Sequence, residues 1–270
     1  MLELFTSEGC SSCPPADALL SKLGSSNKSV IPLAYHVDYW NHLGWSDPFS
    51  SHEWSERQSA YARALNLSGD YTPQMVIGGG WQCVGSDGRS IARAIAEARS
   101  ASALGRISLR TKLSGARPQT LRVKVDARIL RAADTGPLVV MLAIYENGLV
   151  SKIEGGENGG RQLTYDYTVR NLLPAFELKL VKGASALRSS MLISTVHGRW
   201  IISEWWRSSR TRRRSESTGP PLSIQSPGTN AFASIDPAPI GRERERRGDQ
   251  REHSYGRHLT CHERGAFALE

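Results

Sequence analysis

The motif Cys10-Ser11-Ser12-Cys13, followed at once by Pro14-Pro15, constrains this chain more than any other feature. It separates Leu2-Glu3-Leu4-Phe5-Thr6, which reads as a short strand, from a stretch over Pro14 to Leu23 that reads as a helix. Ala16, Leu19, Leu20 and Leu23 share one face of that helix, and Gly24 offers a stop. Two intervening residues let the two sulfurs meet at a turn. A helix beginning at Pro14 aims its positive dipole end and unpaired N–H groups at the first sulfur. That favours the thiolate, the attacking species in thiol chemistry. Proline suits a first helical turn, where its missing N–H costs little. In a strand–helix unit this spacing reads as a thioredoxin-like redox pair.

The rest of the first hundred residues continues the alternation. Val30 to Val37 predicts a second strand. Ser50-Ser51-His52-Glu53 has capping-box spacing, with Trp54, Gln58, Tyr61 and Leu65 on one helical face behind it and Gly69 as a stop. Gln74 to Ile77 and Trp81 to Val84 flank Gly78-Gly79-Gly80 as a hairpin. Asp87 is placed to cap a last helix whose buried side carries Ile91, Ala94, Ile95 and Ala98. The order β-α-β-α-β-β-α starts with a parallel pair joined by a right-handed crossover and ends on an antiparallel edge. Thr72-Pro73 stands just before the third strand, where thioredoxin folds place a cis proline facing the cysteines. An X-Pro bond tolerates that isomer at about 0.5–1 kcal/mol. We expect cis here, against an ordinary trans proline opening an edge strand.

Near Leu104 the period changes to two. Ile107, Leu109, Thr111 and Leu113 alternate with polar residues, as do Leu121, Val123, Val125, Ala127 and Ile129. Leu138 to Tyr145, Thr164 to Val169, Phe176 to Leu180 and Met191 to Val196 are further strand candidates. The fold expected is an α/β thioredoxin-like domain over 1–103, an antiparallel, sandwich-like β domain over 104–206 and a basic, disordered tail over 207–270. The tail carries 12 Arg and 8 acidic residues, so it holds half of the formal net charge of +8. The body is therefore only mildly basic, which argues against nucleic-acid binding by the whole chain. No stretch has the roughly 18 apolar residues of a spanning helix.

Several strings together resemble the bacterial DUF1223 family, thioredoxin-like proteins of unknown function that are mostly predicted to be secreted. They are Leu4-Phe5-Thr6-Ser7-Glu8-Gly9-Cys10-Ser11-Ser12-Cys13-Pro14-Pro15-Ala16-Asp17, His36-Val37-Asp38-Tyr39-Trp40, Gly44-Trp45, Asp47-Pro48-Phe49, Arg57-Gln58, Tyr71-Thr72-Pro73-Gln74 and Gly156-Glu157-Asn158-Gly159-Gly160-Arg161. The resemblance spans about residues 1–200. It implies the fold and a candidate site, and it implies export. Met1 leads straight into the first strand without a signal peptide. The expected location is therefore exported or periplasmic with an upstream start, or else cytoplasmic.

The candidate catalytic residues are Cys10, Cys13, Thr72 and Pro73. Cys10, at the helix mouth and the more exposed of the pair, is the expected attacking thiolate, and Cys13 the resolving thiol. Asp17, one turn after Cys13, is either its proton acceptor or a solvent-facing first-turn carboxylate. Trp40, Trp45 and Asp38 are candidates for a substrate groove. The dense aromatics Tyr39, Trp40, Trp45 and Phe49 line such a groove or form a lid over the core. Alternation puts His36 and Asp38 on one side of the second strand. His36 is a structural histidine, a base, or the third ligand of a copper site with Cys10 and Cys13. Cys83 is a buried apolar thiol or a second resolving thiol. The glycine-rich run Gly155 to Arg161 fits no dinucleotide fingerprint and reads as a structural loop with Glu157 paired to Arg161. His253, His258, Cys261 and His262 have no framework that would order them as ligands.

Three functions fit. One is a thiol–disulfide oxidoreductase acting on protein thiols or disulfides, without a cofactor. A second is a copper-handling protein. The third is a binding module with a static disulfide, in which the β domain docks a partner. No specific nucleic-acid partner is expected, and the oligomeric state is left open.

Overall fold

The computed structural model describes residues 1–27, 29–101, 105–114, 120–130, 138–178, 187–196, 199–206, 230–237 and 262–263. The first hundred residues fold in the expected order: β1 (Leu2–Thr6), α1 (Pro14–Ser26), β2 (Pro32–His36), α2 (His52–Ala64), β3 (Gln74–Ile77), β4 (Trp81–Val84) and α3 (Gly88–Ser100). Strand β1 runs parallel to β2 and antiparallel to β3, and β4 returns antiparallel to β3 through the Gly78–Gly80 turn. Every residue of β1, β2 and β3 is buried, as expected of strands covered on both faces. On one face α1 and α3 pack Leu20, Ile91 and Ala94 against Leu2, Leu4, Met75 and Ile77. On the other, Trp54 of α2 joins Phe5, Leu33, Tyr35 and Val76.

Two helix stops differ from the expectation. Helix α1 runs through Gly24 to Ser26, and Asn27 closes it with an N–H to the Leu23 carbonyl. Gly24 serves close approach instead: a Cβ there would lie 2.5 Å from the Tyr167 ring. Helix α2 ends at Ala64, well before Gly69. Asn66 takes the left-handed conformation (φ 53°), which lets Leu67 N–H reach the Ala62 carbonyl.

From residue 105 to 206 the described elements are all strands: β5 (Gly105–Ser114), β6 (Thr120–Ile129), β7 (Leu138–Glu146), β8 (Leu149–Lys152), β9 (Gln162–Tyr165), β10 (Thr168–Leu178), β11 (Leu187–Val196) and β12 (Arg199–Trp206). Strands β12, β11, β6 and β5 form an antiparallel sheet in that order, and β8–β9 is a separate ribbon. Strands β7 and β10 join the first sheet, because Thr168 of β10 pairs parallel with Ala34 of β2. One sheet thus continues past the sequence boundary near residue 104, and Ala143 and Val169 pack into the α2-side core.

The expected disorder from residue 207 does not hold for two segments. Strand β13 (Asn230–Pro237) pairs antiparallel with β7, and β14 (His262–Glu263) with β4. Strand β13 contains Ala231, Phe232, Ala233 and Ile235, an apolar stretch hidden by the polar average of the tail. The rest of 207–270, including His253, His258 and Cys261, lies outside the described residues. Among the described residues the architecture is mixed α/β, with a central eight-stranded sheet and three helices.

Candidate functional site

The loop between β1 and α1 carries a Cys10–Cys13 disulfide with Cα atoms 5.4 Å apart. Two turns build it: Cys10 N–H bonds the Ser7 carbonyl and Cys13 N–H the Cys10 carbonyl. Cys13 is the N-cap of α1, and Pro14 and Pro15 fill the first turn. This refines the expected role of the helix mouth. The two prolines have no N–H, and Ala16 and Asp17 N–H both bond the Cys13 carbonyl. No first-turn amide is left for the Cys10 sulfur, so only the dipole acts from the helix. Locally, Ser12 Oγ lies 3.4 Å from Cys10 Sγ, placed to donate to it.

Neither cysteine is exposed; both stand at 0%. The expected exposure of Cys10 is therefore wrong, and three segments pack against the loop around it. Trp40 packs on Gly9, where a Cβ would fall 3.0 Å from Trp40 Cβ. The Trp40 indole donates to Thr72 Oγ1 at 2.8 Å, so one side chain links the residue before Cys10 to the residue before Pro73. The Thr72–Pro73 bond is cis. Trp45 donates to Glu8 Oε2 at 2.7 Å. The third segment is the β8–β9 connection, where Asn158 Nδ2 donates to the carbonyls of Glu8 and Cys10, both at 2.9 Å.

A buried polar cluster meets the same loop at Glu8. His36 Nδ1 pairs with Asp47 Oδ2 at 2.7 Å with both side chains fully buried. Asp47 also accepts the Glu8 N–H at 2.9 Å and the Phe49 N–H at 2.8 Å. Burial opposes the imidazolium, but the carboxylates of Asp47, Asp17 and Glu8 outweigh it and raise the His36 pKa. Burial likewise works against the Asp47 carboxylate, yet His36 and the two N–H donors hold its pKa below the usual range. Each partner thus favours the charged form of the other. His36 Nε2 is buried without a hydrogen-bond partner among the described residues, and the ring stacks edge-on against Phe49 and Tyr165.

Asp17 is buried, not solvent-facing. Burial pushes its pKa up to about 7, against the lowering pull of His36. Burial, with Asp47 beside it, also raises Glu8. His36 and Asp38 part company: β2 ends at His36, so alternation stops there. Asp38 instead faces α2, accepting from Ser55 Oγ and lying 3.2 Å from His52 Nδ1. It is no part of the disulfide site. Tyr39 and Phe49 also turn away, Tyr39 to Gln58 and Phe49 to the His36–Tyr165 stack. Cys83 lies in the apolar core beside Met75. Among the described residues no three His, Cys, Asp or Glu side chains are grouped to hold a metal.

Sequence reading missed Glu157 and Asn158 as site residues. Glu157 does not pair with Arg161; it accepts the Ser11 N–H at 2.9 Å, while Arg161 donates to Asn158 Oδ1 at 2.8 Å. Their only signal was membership in the glycine-rich string that carries the family resemblance.

The family model described as "Protein of unknown function (DUF1223)" matches residues 1–195. The chain belongs to this family. No curated protein matches it. A solved structure similar in shape is protein AGR_C_4864 from Agrobacterium tumefaciens, with a TM-score of 0.55 and 25% identity over 90% of this chain and 96% of that one. HBP35 of Porphyromonas gingivalis aligns at a TM-score of 0.47 and 12% identity, over 87% of this chain and 97% of that one. No described helix of this DUF1223 chain is long and apolar enough to cross a membrane.

Proposed function

We propose that this DUF1223 protein is a thiol–disulfide exchange protein on a thioredoxin-like sheet, with Cys10 and Cys13 as its redox pair. The observation that carries the reading is the placement of the disulfide. It sits between β1 and the mouth of α1, beside a β3 that opens on a cis proline. The strand order β2-β1-β3-β4 supports the thioredoxin-like assignment. In the reduced protein the Cys10 thiolate attacks a substrate disulfide. A Cys10–substrate bond forms and the first substrate sulfur leaves with the electron pair. The Cys13 thiolate then attacks Cys10, the intramolecular disulfide closes and the second substrate thiol departs. Two electrons pass to the substrate, and Asp17, buried one turn on, takes the Cys13 proton.

A reduction potential between roughly −270 and −120 mV, the span of known exchange catalysts, is expected from glutathione equilibration with thiol trapping. Cys10→Ser should abolish exchange with a protein disulfide; full activity in that variant overturns the reading. The full burial of both sulfurs favours a second reading, a static disulfide in a binding module. A potential below roughly −300 mV decides for it.

A further inference from the structure

Ser11 and Ser12 are exposed, yet the sulfurs on either side of them are not. The side chain that reaches the Cys10 backbone comes from 148 residues away. Asn158 is fully buried, and its amide is fully used. Nδ2 donates once to the Glu8 carbonyl and once to the Cys10 carbonyl, and Oδ1 accepts from Arg161. No side chain of similar size replaces it: Asp lacks the donors, Leu any polar atom. Beside it Glu157 accepts the Ser11 N–H, and hydrogen bonding from the Ser11 side chain and backbone holds its carboxyl below the usual range. The loop is closed on itself by Gly160 N–H to the Ile153 carbonyl at 2.7 Å and Arg161 N–H to the Asn158 carbonyl at 3.1 Å. It also seats tightly against the Trp45 loop, since a Cβ at Gly155 would fall 2.4 Å from the Gly44 carbonyl oxygen.

We infer that residues 153–161 form a cap over the disulfide, with Asn158 as its positioning residue, and that Asn158 and Glu157 set how fast any thiol partner reaches the sulfurs. The biological use of the cap rests on the exchange reading above. Attack on a disulfide needs access along the S–S axis, and a pair with no exposed surface reacts only when its cover opens.

The test uses the full chain and a phosphine, tris(2-carboxyethyl)phosphine, followed by thiol trapping and mass spectrometry. Phosphorus bonds to one sulfur, the Cys10–Cys13 bond breaks, and water releases the second thiol and the phosphine oxide. The expected wild-type rate levels off at high phosphine, because opening limits it. Asn158→Asp and Asn158→Ala should raise that plateau by roughly tenfold or more, the scale of one or two lost buried hydrogen bonds. Glu157→Gln should raise it by a smaller factor, and Glu97→Gln, exposed on α3 and outside the cap, should leave it unchanged. A wild-type rate that climbs in proportion to phosphine and is equal in Asn158→Asp overturns the cap. Where the Asn158 variants fail to fold, an unchanged plateau in Glu157→Gln overturns it. Glutathione equilibrium on the same samples reads the exchange reading separately, because a structural-disulfide potential sinks that reading and leaves the gated rate standing.

Discussion

Asp17 sits one turn after Cys13 with its carboxyl buried and its pKa pushed up to about 7 from 3.8. The folded protein thus holds this proton more tightly than the unfolded chain. Stability from this group is present below about pH 4, is lost as pH rises to about 7, and is flat above. Asp17→Asn keeps the shape and removes the charge. Urea unfolding should show the two proteins alike near pH 4 and the variant more stable near pH 8, by on the order of a few kcal/mol. Parallel curves across that range would show that Asp17 does not titrate between them. Ser12 offers a second probe at this scale. It is the hydroxyl nearest Cys10 Sγ, and the first turn of α1 supplies no amide. Ser12→Ala should raise the Cys10 thiol pKa in the reduced protein by roughly one unit, read from the pH dependence of alkylation.

Between elements, one tight junction is where β1, α1 and the cis proline meet. Gly85, just after β4, fills it: a Cβ there would stand 2.7 Å from Leu4 Cδ1 and 3.1 Å from both Ala16 Cβ and Pro73 Cβ. Gly85→Ala should cost about 1–3 kcal/mol through overpacking. Gly69→Ala, with nothing within 4 Å of the new methyl, should stay within about 0.5 kcal/mol in the same thermal scan. The elements themselves were legible in the sequence, because apolar period, turn glycines and Asp87 all act over a few residues. The parallel β1–β2 pair and the closing antiparallel hairpin followed from chain connectivity. The helix stops were misread because a glycine marks both an end and a close contact, and Gly24 is the latter. The disulfide loop was legible as Cys-Ser-Ser-Cys, but its cover was not. Asp47 and Asn158 are ordinary loop residues until the fold brings them to the backbone of Glu8 and Cys10.

For the whole molecule, the junction of β10 with β2 decides whether the first hundred residues stand alone. Nothing local in Thr168-Val169 names Ala34 as a neighbour, which is why the sequence suggested separate domains. Ala143, Val169 and Leu172 complete the core beneath Phe5, Leu33 and Tyr35. A chain ending at residue 103 loses them and bares the edge of β2. It should melt at lower temperature than the full chain and associate on concentration, read by circular dichroism and light scattering. An unchanged midpoint would make the second half dispensable to the first. The same long reach has a consequence in time. A ribosome adding roughly 5–20 residues per second needs on the order of 10–30 s between releasing Cys10 and releasing Asn158. Throughout that interval the two thiols are uncovered, so whatever enzyme or oxidant first meets the nascent chain can set their redox state before the protein has a lid to shut.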